Sequence, residues 1–314
     1  MTTVWQVSSA PANRNYADVF LRYGVALITP GDSGAWSPQR AKLFEDDVVQ
    51  RFAEDVQLGD IILLRSSISS IHALGIIASE YVYLPQFDDV NGLDLQHARR
   101  VRWFALPEVY DFGAPVFGSI SQRFSRVNRE DVIEYAQNFV NSPPDHWKSA
   151  PLPTLPNEQP LMEHIPENLQ SLVAQVQDLA SLYLDESHFG DLPAEDELLV
   201  HYIVPLLRAL GWSVEQIGIK WRYVDVTTFR DLPRTPKNVQ FIIEAKRLGV
   251  GAEGALKQAL RYIETLGIQR DVIVTDGIRY RLFSAKNGYK PTAYANLARL
   301  KQNATELFTL MRKP

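Results

Sequence analysis

The hydrophobic pattern changes period repeatedly along this chain, and each change predicts an element. From Glu195 to Leu210 apolar residues recur at three- and four-residue spacing and stop at Gly211, which predicts an amphipathic helix closed by a glycine, with Glu197 in its first turn. Ser213–Ile219 and Trp221–Phe229 are rich in β-branched and aromatic residues and predict strands. Asp225 sits inside the second, flanked by valines, where an aspartate is costly without a partner. Val239–Lys246 is a short apolar run ending in Glu244-Ala245-Lys246, the pattern of a buried central strand that emerges at a site. Side chains two apart on a strand point the same way, so Glu244 and Lys246 share a face. Ala255–Leu266 returns to helical spacing and sets Gln258 and Tyr262 one turn apart. Asp271–Thr275 and Ile278–Phe283 predict strands around an Asp276-Gly277 turn, and a last helix is expected over Ala293–Met311.

The first half has a different rhythm. Val4–Val7, Gly24–Ile28, the end of Val56–Leu64, Ala73–Tyr83 and Arg99–Phe104 read as strands separated by turn signals, the signature of a small β-barrel. Between the halves, residues 142–167 hold seven prolines, at 143, 144, 151, 153, 156, 160 and 166, and read as a semi-rigid linker. Two domains, 1–141 and 168–314, are therefore expected.

Composition narrows the options. At 314 residues, 46% hydrophobic and 22% charged, the chain fits ordinary two-domain globular usage. Zero cysteines exclude disulfides, cysteine nucleophiles and cysteine-bound zinc, and the six histidines show no paired ligand spacing. No apolar stretch approaches membrane length and the N-terminus lacks a basic region followed by an apolar one, so a cytoplasmic location with no membrane partner is expected. Residues 1–141 carry 12 basic and 17 acidic side chains, and residues 168–314 carry 19 basic and 16 acidic. Neither half is strongly basic, so nonspecific DNA affinity should be modest and salt-sensitive.

The chemistry concentrates in the last third. A hard divalent cation wants oxygen ligands, usually one or two carboxylates plus waters and a substrate phosphate. Asp225 and Glu244 are placed to supply them, with Glu197 completing a second position or holding a metal-bound water. Such an ion would stabilise charge on a phosphate and lower the pKa of bound water, and Lys246 would orient or help deprotonate that water. Helix-acid, strand-acid, acid-x-lysine and a Gln258-x-x-x-Tyr262 helix, in this order, resemble the PD-(D/E)XK nuclease superfamily. The runs Glu197 through Val-Pro-Leu-Leu-Arg-Ala-Leu-Gly-Trp212, Val-Asp-Val-Thr-Thr-Phe229, Ile-Glu-Ala-Lys-Arg247 and Val-Ile-Val-Thr-Asp-Gly277 resemble the nuclease domain of type I restriction subunits and related type IV enzymes. The likeness spans Ala194 to Phe283, with Thr-Thr-Phe after Asp225 unusual for the group. It implies an α/β nuclease core with a mixed central sheet flanked by helices, Mg2+ with Mn2+ able to substitute, and Gln258 and Tyr262 supporting the lysine and the DNA backbone. The residue-level alternative is a surface ion pair for Glu244 and Lys246 and a satisfied turn residue for Asp225.

Gly249-Val-Gly251-Ala-Glu-Gly254 literally satisfies a dinucleotide fingerprint, with Asp276 about 22 residues beyond. Two features argue against it. The preceding strand ends in Glu-Ala-Lys-Arg where apolar packing is required, and only 38 residues follow Asp276, too few for the remaining βα units. The glycines read better as a connection beside the acid site.

In the first half, Leu-Gly-Asp-Ile-Ile62, Gly-Ile-Ile-Ala-Ser-Glu-Tyr81 and His-Ala-Arg-Arg-Val-Arg-Trp103 resemble the PUA-like group that includes EVE and YTH domains. That resemblance implies an α+β unit built on a small barrel that reads a modified base, flipped into an aromatic cage. A flipped base needs flat apolar walls, polar contacts to its edge and arginines on the phosphates. Trp36, in a Gly-Asp-Ser-Gly-Ala-Trp loop, is the first such wall, with Tyr81, Tyr83, Phe87 and Trp103 as others, although Trp103, like Trp5, equally suits a barrel core. Asp94 and His97 are placed for the base edge or for capping a loop, and Arg99, Arg100 and Arg102 for phosphates. The combined expectation is a magnesium-dependent endonuclease that recognises a modified base, a cytosine derivative first, in double-stranded DNA and cuts nearby, in defence against foreign modified DNA. One site cuts one strand, so a homodimer on DNA is expected. The alternatives are a nuclease whose first domain reads unmodified DNA or RNA, and a DNA-binding protein with a degenerate nuclease core.

Overall fold

In the computed structural model the described residues are 2–9, 14–31, 33–44, 47–119, 122–143, 147, 150–182, 193–248 and 254–314. They form a mixed α/β structure in two units, one comprising Met1–Asp88 and Asp94–Glu158, the other Asp89–Leu93 and Gln159–Pro314.

The first unit follows from its buried apolar strands. Its elements are β1 (Val4–Ser8), α1 (Ala17–Tyr23), β2 (Val25–Ile28), α2 (Val48–Glu54), β3 (Ile61–Arg65), β4 (Ser70–Ile77), β5 (Val82–Tyr83), β6 (His97–Asp111), β7 (Phe124–Arg126) and α3 (Glu130–Asn141). The strands make one sheet in the order β2-β6-β4-β3-β1-β7, with β5 also on β6. Only β1 and β3 run parallel. The fifteen-residue β6 pairs with β2 and β5 through its start and with β4 from Val101 onward, so the sheet curls around it into a half-barrel. Trp5 stacks on Phe124 at 5.1 Å, and Phe52 of α2 meets Phe124 edge-on at the same distance. On the other face, Val132 and Ala136 of α3 pack with Val4, Ile61, Leu63, Ile71 and Leu74.

Ala73–Tyr83 is not one strand. β4 ends at Ile77, and the chain leaves the sheet before β5 because polar groups take over the ladder: the Arg100 N–H donates to Ser79 Oγ at 2.8 Å, and Arg99 Nη1 donates to the Ser79 carbonyl at 3.2 Å. The prolines of 151–158 carry no regular structure. Arg102 Nε donates to the Ala150 carbonyl at 3.0 Å and Arg100 to that of Pro153, which fastens this stretch to the first unit.

The second unit contains α4 (Glu167–Leu182), α5 (Glu195–Leu198), a π turn (Leu199–Ile203), α6 (Val204–Ala209), β8 (Ile217–Trp221), β9 (Val224–Phe229), β10 (Val239–Ala245), α7 (Ala255–Leu266), β11 (Asp271–Thr275), β12 (Arg279–Ser284), β13 (Lys290–Asn296) and α8 (Ala304–Met311). The sheet order is β13-β12-β11-β10-β9-β8. β10 and β11 are parallel and joined through α7, while every other neighbouring pair is antiparallel. One sheet face, through Ile243, Ala245, Ile273 and Tyr280, packs on α4, α5, α6 and α8. The opposite face, through Ile242, Val272 and Val274, packs on Ala255, Ala259 and Ile263 of α7. Burying such side chains on both faces is worth about 1.5–3 kcal/mol each and explains why β10 and β11 read as unbroken apolar runs.

The expected helix over Ala293–Met311 is corrected. Ala293 and Ala295 pair with Leu282 and Tyr280 as strand β13, and the Asn296 carboxamide then accepts from the Ala298 N–H at 3.0 Å and turns the chain. Only Ala304–Met311 is helical. Gly249–Glu253 of the glycine fingerprint lie outside the described residues. Among the described residues no helix is long and apolar enough to cross a membrane.

Candidate functional site

Strand register builds the acid site. β9 and β10 pair with Ile243 opposite Val226, which carries Glu244 alongside Asp225, and β8 pairs with β9 so that Lys220 lies alongside Asp225 from the other side. Lys220, Asp225 and Glu244 therefore form a row across three strands, with Lys246 two residues beyond Glu244 on the same face. α7, with Gln258 and Tyr262, covers that face.

Asp225 is 5% exposed and fully engaged: Oδ2 accepts from the Ala245 N–H at 2.8 Å, and Oδ1 accepts from Lys220 Nζ at 2.7 Å. Lys220 Nζ also lies 3.1 Å from Asp196 Oδ1. Burial works against the Lys220 charge, but the bonds to Asp225 and Asp196 outweigh it and raise its pKa. Glu244 is completely buried. Its Oε1 lies 3.3 Å from Lys246 Nζ, while its Oε2 has no hydrogen-bond partner. Burial, and then the neighbouring Asp225 charge, push the Glu244 carboxyl up to about 7, against the opposing pull of Lys246.

The carboxylate of the α5 turn that meets Lys246 is Glu195, at 3.8 Å. Glu197, expected to complete a second metal position or hold a metal-bound water, is exposed and accepts from the Ala194 N–H at 3.3 Å, so it caps its own helix. Three consecutive acids open this turn, and the helix rotation that selects Glu195 is invisible in the spacing. Gln258 Nε2 donates to the Tyr262 hydroxyl at 3.1 Å, and among the described residues this is its side-chain bond rather than one to Lys246. No local pattern in the sequence singles out Lys220; the structure gives it a positive φ of 51° inside a strand, beside a two-residue turn at Arg222 and Tyr223 whose φ values are also positive.

Among the described residues no three acidic or histidine side chains converge as a metal-ligand group. The donor set still fits a hard cation bound partly by waters and substrate: two neighbouring carboxylates, one with a buried oxygen lacking a partner and the other already paired with a cation.

In the first unit the expected reader residues divide. Trp36, Tyr81, Tyr83 and His97 come together, with the buried Phe44 added. Trp36 and Phe44 ring centroids are 5.2 Å apart, and His97 lies 5.7 Å from Phe44, 5.9 Å from Tyr81 and 5.7 Å from Tyr83. The Trp36 N–H donates to the Tyr81 hydroxyl at 2.9 Å, that hydroxyl lies 2.8 Å from His97 Nδ1, and His97 Nε2 lies 2.6 Å from the Pro30 carbonyl. Trp36 Nε1 donates to Glu54 at 3.0 Å and the Tyr83 hydroxyl to the Gly31 carbonyl at 2.8 Å. Burial takes the His97 pKa down to about 4, so the ring is neutral near pH 7.

The other expected residues are engaged in other contacts. Phe87 is buried against Tyr23, and Trp103 Nε1 donates to the Val25 carbonyl at 2.9 Å. The Asp94 carbonyl accepts from the Gly31 N–H at 3.0 Å. Arg99 is buried and donates to the Phe52 and Ala53 carbonyls at 2.9 and 2.8 Å, closing the C-terminus of α2. Arg100 and Arg102 hold main-chain carbonyls near the prolines, as described above.

The fold and site thus define an α+β protein whose second unit carries a carboxylate–lysine centre on its sheet. Residues 33–113, which include Trp36, Tyr81, Tyr83 and His97, match a domain of unknown function (DUF8426). No curated protein matches the chain. Among solved structures, a fragment assigned as an HsdR subunit of a type I restriction enzyme from Vibrio vulnificus YJ016 is similar at 19% identity, over 38% of this chain and 25% of that one, with a TM-score of 0.26. The match thus spans about a quarter of that chain's length, and likeness at this level defines neither fold nor activity.

Proposed function

We propose that the second unit is a divalent-metal-dependent phosphodiesterase acting on DNA, and that the first unit selects the DNA by a modified base. The observation that carries the first part is the Asp225–Glu244–Lys246 row, with a buried Glu244 oxygen that no protein group satisfies. An orphaned carboxylate oxygen is costly, and an external cation at this position would satisfy it. Asp225 and Glu244 would hold Mg2+ or Mn2+, which when bound supplies charge stabilisation at the phosphate and a more acidic water. Lys246 orients the attacking water, and Glu195 keeps the lysine at the mouth of the site. In the reaction the water oxygen bonds to phosphorus and one P–O ester bond breaks. Two such sites, in two copies of the chain, would sever both strands.

The base-reading part rests on the Trp36, Phe44, Tyr81, Tyr83 and His97 cluster, whose flat faces and neutral imidazole suit a base and its edge. One observation favours the rival reading, a first unit that contacts unmodified DNA or RNA: the polar atoms of Trp36, Tyr81, Tyr83 and His97 already bond one another or the main chain and Glu54. The test is digestion of matched DNAs differing only in cytosine modification, with Mg2+ and with EDTA. Cutting that needs Mg2+ and the modification supports both parts. Cutting in EDTA overturns the first, and equal cutting of both DNAs overturns the second.

A further inference from the structure

The acid site already contains a cation of its own. Lys220 lies beside Asp225 in the strand row and its ammonium bridges Asp225 Oδ1 at 2.7 Å and Asp196 Oδ1 at 3.1 Å. Its backbone is left-handed, φ 51°, a conformation that L-residues rarely adopt and that surrounding structure must enforce. Arg222 and Tyr223 form the turn that follows, at φ 50° and 71°, where Asn and Gly are the usual occupants. Three left-handed side-chain-bearing residues in four hold this hairpin end, and one of them delivers an ammonium to Asp225. The next strand brings the unpartnered Glu244 Oε2 to the same row.

Resting on the phosphodiesterase reading above, we propose that Lys220 is a resident counter-ion of the acid site, so that its pairing with Asp225 and the binding of a divalent cation there exclude one another. The reasoning is electrostatic and steric. Asp225 Oδ2 is committed to the Ala245 N–H, leaving Oδ1 as the oxygen a cation would take, and the Lys220 ammonium stands on it. A second cation at that oxygen meets a like charge within a few ångströms, so Lys220 has to withdraw toward Asp196, whose carboxylate is exposed and close enough to follow it. The protein stays intact without metal because its buried aspartate is never left uncompensated. Metal affinity is correspondingly weakened until another anion, such as a substrate phosphate, is present to receive the lysine.

The test is calorimetric titration of Mn2+ into the full chain and into Lys220→Met, Lys220→Arg and Asp225→Asn, with circular dichroism to verify folding. Lys220→Met should bind Mn2+ about tenfold more tightly or better, the order expected for removing one partly screened competing charge. Lys220→Arg should stay close to the wild type, and Asp225→Asn should lose binding. Should the methionine variant fail to fold, Lys220→Gln keeps a hydrogen-bond donor to Asp225 and carries the same expectation. Unchanged or weaker affinity in the neutral variants, with Asp225 still required, overturns the role of Lys220 while leaving the acid site as the metal site. Absence of Mn2+ binding in every form, or binding indifferent to Asp225→Asn, overturns both.

Discussion

The aromatic cluster of the first unit brings Trp36, Phe44 and Tyr81, which lie outside the strands, to Tyr83 of β5 and His97 of β6, whereas Lys220, Asp225 and Glu244 of the second unit come from three adjacent strands, and the two groups treat their polar atoms in opposite ways. In the cluster, Trp36, Tyr81, Tyr83 and His97 satisfy one another and nearby carbonyls. In the row, Glu244 keeps a buried oxygen without a partner and an elevated pKa, and Asp225 is paired with Lys220, which also reaches Asp196. Desolvated groups left unsatisfied are uncommon, and a buried carboxylate among them is a candidate for binding or catalysis. The acid row thus keeps one buried oxygen open, on Glu244, beside an Asp225 whose two oxygens are both engaged. The aromatic cluster is self-contained, and a base entering it must displace bonds that the protein now makes.

The sharpest way to break this contrast is at Lys246. Its replacement by alanine should slow cutting of supercoiled DNA by about 10²–10⁴-fold, as for loss of a group that positions or activates the attacking water. A variant that nicks at the wild-type rate removes the second unit's claim to chemistry.

Arg99 tests whether the arginines of β6 support the fold or grip phosphate. Arg99→Met leaves the Phe52 and Ala53 carbonyls without their donor and should cost about 2–4 kcal/mol in urea denaturation. Preserved stability, accompanied by a salt dependence of DNA binding reduced by about one charge, would return Arg99 to the phosphates.

Trp36→Ala should remove about 1–3 kcal/mol of the preference for modified DNA, the worth of one base stacked on an aromatic ring, and leave Mn2+ binding untouched. Competition binding with matched duplexes measures it, and an undiminished preference relocates the reader.

A pH series probes Glu244. Its folded pKa of about 7 lies above the ordinary 4.5, so the folded state binds the extra proton between those values and the metal-free protein loses stability as pH rises through that window. The contribution is fully present below about 4.5 and gone above about 7. Glu244→Gln should flatten this part of the melting-temperature profile, and Mg2+ should flatten it in the wild type by favouring the ionised carboxylate. A wild-type profile that rises over the same window contradicts the burial-driven shift.

The smallest effect separates two neighbours. Glu197→Ala should cost about 0.5–1 kcal/mol of stability through a lost helix cap, with cleavage little changed. Glu195→Ala should slow cleavage through Lys246. Reversal of the two outcomes would restore Glu197 to the site.

Much of the second unit was legible in advance because its pattern is local. The alternation of β10 puts Glu244 and Lys246 on one face, and α7 and β11 follow from helical spacing and an apolar run. The Ala293–Asn296 stretch reads as helix from its composition because alanines and an aromatic suit either state, and only pairing with β12 decides for strand. In the first unit, polar contacts around Ser79 split a run that composition alone presents as continuous.

By itself, then, the sequence determined two units of differing rhythm and the order in which helix acids, Asp225, Glu244 and Lys246 arrive, since side-chain periodicity is a property of neighbours along the chain. Tertiary structure alone decided that Glu195 rather than Glu197 meets Lys246, that Lys220 stands on Asp225, and that Arg99 is spent on the end of α2. The rotation of a helix against a strand, and the choice of which buried group satisfies which, depend on partners dozens of residues away. No local spacing encodes them.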